Sequence, residues 1–204
     1  SPNSGVAQNF TNPVTYTVTA EDSTTQNYLV TVTVAASPAR AITAFSFADP
    51  AATGIVDEEA KTVAITVPYG SDLTTLVPTI THTGVSVSPD SGVAQNFTNP
   101  FTYTVTAADS STQNYVVTVS VAPSPMKSIS AFSFSNPDAS GVIDEVAKTI
   151  SVTVPFASNV TALVPVIVHN GASVAPASGV AQNFLNPVNY TVTAADGSTQ
   201  TYVV

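Results

Sequence analysis

The chain has 204 residues and a mass of 20.8 kDa, with 44% hydrophobic residues and only 8% charged ones. Its 13 acidic and four basic residues give a formal charge of −9, and no cluster of Lys or Arg offers the phosphate contacts that nucleic acid or an anionic lipid surface would need. Cysteine is absent, which excludes disulfides and thiol nucleophiles, and the apolar runs are far shorter than the roughly 18 residues of a membrane-spanning helix.

A sequence repeat with three copies runs through the whole chain. Residues 4–13 read SGVAQNFTNP, the same string stands at 91–100, and SGVAQNFLNP follows at 178–187, so the period is 87 residues. A unit of this length can hold its own core and is too long for a solenoid repeat. We predict a partial unit at 1–36 (the last two strands only), a complete unit at 39–124, and a nearly complete unit at 127–204 that lacks the end of its last strand.

Hydrophobic residues alternate with polar ones along most of the middle unit, as expected of half-buried strands. Pro78 indicates that its strand lies at a sheet edge or bulge, and the acidic turn at 58–61 joins two strands as a hairpin. Short proline-containing joints at 36–41 and 123–128 separate the units. The predicted strands, in chain order, are residues 42–47, 54–57, 62–67, 76–81, 84–88, 101–107 and 115–121.

About seven short strands per unit, with turn signals between them and no helical period, favour a two-sheet sandwich. The high content of Thr and Val is also typical of strands rather than helices. We therefore predict an all-β fold of tandem immunoglobulin-like antiparallel β-sandwiches, with about seven strands per 87-residue repeat.

Several strings of the middle unit resemble a known group of proteins. Residues 96–100 read Asn-Phe-Thr-Asn-Pro, residues 103–109 read Tyr-Thr-Val-Thr-Ala-x-Asp, and residues 115–117 read Tyr-x-Val. This pattern resembles the immunoglobulin-like and cadherin-like β-sandwich repeats of large secreted and cell-surface bacterial proteins. The resemblance implies an extracellular stalk or adhesin spacer without enzymatic activity. The joints contain no Asp or Glu, so the calcium-binding linkers of cadherins are absent.

Carboxylates cluster only at the hairpin turns. Hard oxygen ligands suit Ca²⁺, but no complete calcium loop is present. We therefore predict no metal and no cofactor, and keep calcium as an alternative. The candidate ligands are Asp57, Glu58, Asp144 and Glu145.

Two further sets of residues are candidates for contact with partners. Tyr69 and Phe156 follow the third strand in equivalent loops and could recognise a ligand. The first hairpin has an apolar face that another strand could complete, which would link copies of the chain into a homopolymer. The residues of this face are Tyr16, Val18, Tyr28, Val30 and Val32.

The sequence favours a non-enzymatic structural module of an extracellular stalk, adhesin or surface fibre, because no catalytic motif is present. The alternative is a module that recognises carbohydrate or protein at the cell surface. A less favoured alternative is ice binding through the Thr-x-Thr-x-Thr ladders at 15–19 and 102–106, since sheet twist spoils a flat array. All versions place the chain outside the cell or on its surface.

Overall fold

Strands provide all the regular structure of the chain. The computed structural model describes all 204 residues and contains 17 strands and no helix, hence no helix long and apolar enough to cross a membrane. The first two strands, β1 (Val14–Thr19) and β2 (Thr25–Val30), form an antiparallel hairpin with Tyr16 opposite Tyr28. Its side chains stay exposed or half-buried, as expected of a lone two-stranded ribbon.

Residues 42–121 form two sheets around one hydrophobic core of 14 buried side chains. One sheet has the order β4-β3-β7 and the other the order β5-β6-β10-β9-β8. The predicted alternation is confirmed in β6, where Val63, Ile65 and Val67 are buried and the residues between them are exposed. The strands are β3 (Ile42–Ala48), β4 (Ala51–Thr53), β5 (Ile55–Asp57), β6 (Thr62–Val67), β7 (Pro78–His82), β8 (Ser86–Ser88), β9 (Phe101–Thr106) and β10 (Thr112–Val121).

Residues 129–203 repeat this arrangement around a second core of ten buried side chains. The two cores share no residue, and the all-β, sandwich-type fold that the sequence predicts is confirmed. The unit boundaries at 39–124 and 127–204 stay a prediction. The strand order is β14-β11-β12-β13-β17-β16-β15, and the strands are β11 (Ile129–Ser135), β12 (Asp138–Asp144), β13 (Thr149–Val152), β14 (Pro165–His169), β15 (Ser173–Ala175), β16 (Asn189–Thr193) and β17 (Thr199–Val203).

A glycine lies where the chain passes from one sheet to the other. The amide of Gly54, between β4 and β5, donates to the carbonyl of Phe45 at 2.8 Å. A Cβ at this position would lie 2.8 Å from Cγ1 of Val63, so a side chain would force the two sheets apart. Gly141 has the same role within β12. Because β12 is one unbroken strand, it pairs with strands of both layers, and the seven strands of its unit form one continuous hydrogen-bonded sheet.

The strand pairing differs from the predicted antiparallel arrangement at one place in each unit. β10 runs parallel to β6, with Val117 opposite Val63, and β17 meets β13 in parallel at Val203 and Thr149. The chain leaves this sheet after β6, because the next strand, β7, lies in the other sheet. When the chain comes back, β10 pairs with β6 in the same direction, on the side of β6 opposite to β5.

Several strands differ in detail from their predicted spans: β8 begins at Ser86 rather than at residue 84, and β10 begins at Thr112 rather than at residue 115. β4 was not predicted, because its Ala-Ala-Thr sequence has no alternation to detect. β7 begins at Pro78 rather than at residue 76. It lies at the edge of its sheet, as Pro78 indicates.

Candidate functional site

The two aromatic residues predicted as recognition candidates lie on tight turns at equivalent ends of the two units. In the first turn, Ser71 donates to the carbonyl of Pro68 through its amide at 3.2 Å and through its hydroxyl at 2.7 Å. Gly70 has a φ of 80°, which a type II turn requires at its third position. The turn presents Tyr69 at its corner with 48% of its surface exposed.

The second turn holds Phe156 in the same way. Ser158 makes the same two bonds to the carbonyl of Pro155, at 3.2 and 2.7 Å. Ala157 takes the left-handed conformation that Gly70 has in the first turn, with a φ of 63°. Phe156 is fully exposed, so this turn carries an aromatic ring with no cover from the chain.

An open cleft of about 380 Å³ adjoins this second turn. Asn159 fixes one wall: its side-chain oxygen accepts bonds from the amide and the hydroxyl of Thr161, at 3.0 and 2.8 Å. With that oxygen engaged, the side-chain NH₂ of Asn159 is left to donate. The cleft is lined by Asn136, Pro137, Ser158, Asn159, Ala162 and Leu163.

The same position in residues 42–121 carries acidic side chains in place of the two amides. Asp49 and Asp72 stand 87 residues before Asn136 and Asn159. Asp72 accepts from the amide and the hydroxyl of Thr74, both at 2.8 Å, and these bonds hold the pKa of its carboxyl below the usual value. An exposed carboxylate therefore stands where the cleft beside Phe156 has an amide.

Sequence reasoning missed the cleft residues around Asn159. Asn and Asp are common in turns for purely local reasons, so neither residue stood out. A signal was present in the comparison of the two copies, because two aspartates of the first become asparagines in the second.

The four candidate calcium ligands lie in the hairpin turns, where donors of the chain itself engage them. Oδ1 of Asp57 accepts from the amides of Glu59 and Ala60, at 2.9 and 2.8 Å. Asp144 does the same in its own turn. No group of three or more His, Asp or Glu side chains is placed to hold a metal ion. Calcium would have to compete with these donors, and it stays an alternative.

Glu58 and Glu145, the other two candidates, belong to a three-residue cluster that recurs in both units. Glu145 pairs with Lys148 at 2.5 Å and accepts from the hydroxyl of Tyr202, which lies 2.9 Å from both carboxylate oxygens. The ammonium group of Lys148 lies 5.4 Å from the centre of the Tyr202 ring. The hydrogen bond from Lys148 is the largest cause that holds the pKa of Glu145 below its usual value. The cluster thus fastens the turn to the core.

The first unit holds the same cluster in Glu58, Lys61 and Tyr115. Lys61 pairs with Glu58 and lies 5.7 Å from the centre of the Tyr115 ring. Hydrogen bonds from Lys61 and then from Tyr115 lower the pKa of Glu58. Lys61 and Lys148 both have positive φ angles, 57° and 55°, a conformation that is uncommon for residues with a side chain.

The apolar face predicted for strand addition lies open on the first hairpin. Val18, Tyr28 and Val32 are each more than half exposed, while Val30 is 36% exposed and Tyr16 half-buried. The corresponding residues of the middle unit are in or against its core; they are Tyr103, Val105, Tyr115, Val117 and Val119. The same residue types therefore have two environments in one chain.

A small apolar pocket of about 160 Å³ lies at the end of residues 129–204, with Phe134, Phe184 and Val204 among its walls. At the corresponding place in the middle unit, Val119 of β10 pairs with Ile65. All of the pocket's lining residues are hydrophobic. It offers a saccharide none of the polar groups that recognition needs.

Some hydroxyl groups of the threonine ladders donate hydrogen bonds to side chains of the neighbouring strand. Oγ1 of Thr17 donates to Asn27 at 2.7 Å and Oγ1 of Thr104 donates to Asn114 at 2.8 Å. These cross-strand bonds link the two strands of each hairpin. Hydroxyls held in this way stabilise the sheet and are less free to order water.

The chain was compared with protein-family models. The model described as SGBP, N-terminal, matches residues 1–32, 42–119 and 129–204, which is most of the chain. The chain belongs to this family. SGBP denotes surface glycan-binding proteins, a family of binding rather than catalytic modules that is associated with the cell surface. The immunoglobulin-like or cadherin-like family of the resemblance is not the one identified, although the all-β fold agrees with it.

Comparison of this SGBP-family chain with curated proteins gave no match. Among solved structures it is similar to a provisionally assigned glycoside hydrolase from Bacteroides thetaiotaomicron VPI-5482, with 18% identity and a TM-score of 0.40. That alignment covers 79% of this chain and 48% of the other protein. A similarity this low carries no information about activity.

Proposed function

We propose that this chain is a segment of a surface glycan-binding protein that contacts glycan through the turns carrying Tyr69 and Phe156. The observation that carries the proposal is the full exposure of Phe156 on a turn fixed by two hydrogen bonds to Pro155. An exposed aromatic ring on a fixed turn can pack against an apolar surface of a ligand, and an aromatic side chain has only two rotatable χ angles to order on binding. The C–H face of a sugar ring is such a surface.

The neighbouring cleft supplies the polar half of a saccharide site. Asn159 offers its NH₂ group, and the hydroxyl of Ser158 donates to Pro155 while its oxygen can still accept. Sugar hydroxyls both donate and accept, so an amide and a hydroxyl beside an aromatic ring match them.

The same cleft favours binding without turnover. Glycoside hydrolysis requires two carboxyl groups across the scissile bond, and none of the residues that line this cleft is Asp or Glu. We infer a non-catalytic role outside the cell or on its surface, with glycan as the partner.

The joint between residues 42–121 and 129–203 favours a second candidate function, that of a spacer that holds a binding site away from the cell. The amide of Ala122 donates to Val67 at 2.8 Å, and the carbonyl of Ser124 accepts from Asp196 at 3.1 Å. Only Pro123 stands between these two fixed residues, and proline has little backbone freedom. A joint this short would let the chain project a binding site away from the cell.

Self-association through the apolar face of the first hairpin stays a separate proposal, with a separate test. Size-exclusion chromatography with light scattering should detect a dimer or larger species if strands are exchanged. Val18→Lys would place a charge in that face and should return the chain to a monomer. A monomeric wild-type chain would contradict this proposal.

The glycan proposal is tested by screening the chain against immobilised glycans and measuring affinity for those that bind. Phe156→Ala combined with Tyr69→Ala should weaken binding at least about tenfold, since an aromatic anchor commonly contributes more than the roughly 1.4 kcal/mol that a tenfold change represents. The matched control is Val146→Ala, because Val146 is 96% exposed and precedes β13, whereas Phe156 follows it. Equal affinity of the double variant and the wild type would contradict the proposal.

A further inference from the structure

The turns that carry Tyr69 and Phe156 are flanked by equivalent residues of different charge, and a cleft adjoins only the second of these turns. Asp49, Asp72 and Asp90 of the middle unit are replaced at the equivalent positions of the next unit by Asn136, Asn159 and Ala177. Residues 39–124 hold seven acidic and two basic side chains, whereas residues 127–204 hold four acidic and two basic ones. These three aspartates are therefore among the acidic residues that the second unit lacks.

We propose that the Asn136–Asn159 cleft accepts sugars carrying a carboxylate, and that aspartates at these two positions, as at Asp49 and Asp72 of the first unit, repel them. This inference rests on the proposed glycan function and adds to it the chemical class of ligand for the cleft.

The geometry of Asn159 is the first step of the argument. Its side-chain oxygen is engaged by the amide and the hydroxyl of Thr161, which directs the NH₂ group away from the turn. An NH₂ group only donates hydrogen bonds, and a carboxylate only accepts them. The cleft wall is therefore complementary to a uronate.

The geometry of Asp72 leads to the opposite selectivity. Its Oδ1 makes the same two bonds to Thr74, so Oδ2 takes the place of the NH₂ group and is a charged acceptor. A sugar hydroxyl can donate to it, but a uronate would meet like charge at close range. The hydrogen bonds to Thr74 also lower the pKa of Asp72, which keeps this carboxyl ionised at neutral pH.

Other charges near the neutral cleft are few. Asp138 follows Pro137 at the start of β12 and is exposed, but it is not among the residues that line the cleft. Lys127 and Lys148 lie in the joint and in the hairpin turn, where they bond to Ser198 and Glu145. The selectivity therefore depends on the two asparagines and not on a local excess of positive charge.

The experiment uses the full chain and a panel of oligosaccharides that contain uronic acid. Each member is paired with its carboxyl-reduced counterpart, in which every carboxylate is an alcohol. Asn136→Asp with Asn159→Asp gives the cleft the charge of the equivalent residues in the first unit. Asp49→Asn with Asp72→Asn is the matched control, because no cleft adjoins those two residues. The exchanges at 72 and 159 keep the turn, because Asp and Asn both accept the two bonds at this position.

Affinity is measured by calorimetry at low salt, where charge effects are least screened. We expect the Asn-to-Asp variant to lose at least about ten times more affinity for the uronide than for its carboxyl-reduced counterpart. The Asp-to-Asn variant should bind the uronide with the stoichiometry of the wild type. Unchanged uronide affinity in the Asn-to-Asp variant, or a second uronide bound by the Asp-to-Asn variant, would overturn this inference.

The outcomes also separate this inference from the proposed function. If the reduced saccharides bind and Phe156→Ala weakens them, but the asparagine exchanges leave the uronides unaffected, only the charge selectivity is wrong. If no saccharide of either kind binds at millimolar concentration, the glycan function fails and the charge selectivity fails with it.

Discussion

Tyr103 and Tyr115 lie directly opposite each other across β9 and β10 and are both fully buried, but only Tyr115 has a partner for its hydroxyl group. The Tyr115 hydroxyl donates to Glu58 at 2.5 Å. The Tyr103 hydroxyl has no hydrogen-bond partner, and the same is true of Tyr190, its counterpart 87 residues later. The pair therefore combines a satisfied and an unsatisfied polar group within one core.

Removal of the Tyr115 hydroxyl should destabilise the fold, whereas removal of the Tyr103 hydroxyl should not. Tyr115→Phe loses a bond to a carboxylate that is itself about half exposed, and we expect a loss of about 1 kcal/mol in the free energy of unfolding. Tyr103→Phe removes a buried group that gains nothing from being polar, so its effect should be neutral or stabilising by up to about 1 kcal/mol. Urea denaturation of each variant measures the difference.

The second unit supplies the control for this pair. Tyr202→Phe should behave like Tyr115→Phe, because Tyr202 donates to Glu145, and Tyr190→Phe should behave like Tyr103→Phe. Destabilisation of more than about 1 kcal/mol by Tyr103→Phe would mean that its hydroxyl has a partner such as a buried water.

Alkaline pH should unfold the protein through the same tyrosines. Burial raises the pKa values of Tyr103 and Tyr190 from 10.0 to about 12. In the unfolded chain these groups lose their protons near pH 10, so stability is complete below that pH and falls as the pH rises from about 10 to about 12. We expect the tyrosinate absorbance of these residues to appear together with the loss of the circular dichroism signal.

The alkaline prediction has a direct check in the double variant with Phe at positions 103 and 190. Its unfolding midpoint should move to higher pH, because the two tyrosines whose pKa values are raised to about 12 are gone. Titration of all seven tyrosines near pH 10 in a chain that stays folded would contradict the prediction.

Much of the fold could be predicted from patterns among residues that are close together in the sequence. The alternation of Val63, Ile65 and Val67 identifies a strand and its buried face, and the acidic turn between β5 and β6 identifies a hairpin. The parallel pairing of β10 with β6 could not be predicted, since it depends on which of two sheets each intervening strand joins. No short-range pattern records that choice.

The candidate site was only half predictable for a related reason. Tyr69 and Phe156 stand out as aromatic residues in predicted loops, although from the sequence they could equally plug the end of the sandwich. Only the structure shows that Phe156 is fully exposed. Asn136 and Asn159 are 23 positions apart and share a cleft only because β11 ends beside the loop that leads to β14. Each is an ordinary turn residue in the sequence, and only the folded chain brings them together.

Acid should weaken the clusters that hold the hairpin turns. Hydrogen bonds from the lysines keep the pKa values of Glu58 and Glu145 below their usual value of 4.5. A carboxyl whose pKa is lower in the folded state stabilises the fold above its unfolded pKa, and this contribution is lost as the pH falls through the folded value. We expect the melting temperature to fall as the pH decreases below about 4.5.

The control for the acid prediction is Glu58→Gln combined with Glu145→Gln. Glutamine keeps the size of the side chain and its hydrogen bond to tyrosine but cannot titrate. The melting temperature of this variant at neutral pH should be lower than that of the wild type, and its dependence on pH below about 4.5 should be weaker. An identical pH dependence in both proteins would show that other carboxyl groups cause it.

The joint at Pro123 should hold the two units at a nearly fixed distance. Because the chain has no cysteine, introduced cysteines can be spin-labelled at chosen positions to measure that distance. Ile55 and Val142 are equivalent, largely exposed positions of the two units, at 76% and 75%, so spin labels on introduced cysteines there report the distance between units. We expect one narrow distance distribution in the wild-type background. Pro123→Gly should broaden it, because glycine restores the backbone freedom that proline removes between the bonds of Ala122 and Ser124.

Lys127 tests whether the contacts beyond the proline also stiffen this joint. Its ammonium group donates to Ser198 at 2.7 Å, in the turn whose Asp196 amide binds Ser124. Lys127→Ala should therefore broaden the distribution less than Pro123→Gly does, since the backbone bond remains. Labels at positions 55 and 116 lie within one unit, and their distance should not change in either variant. A wild-type distribution already as broad as that of Pro123→Gly would mean that the joint is flexible and that spacing needs another explanation.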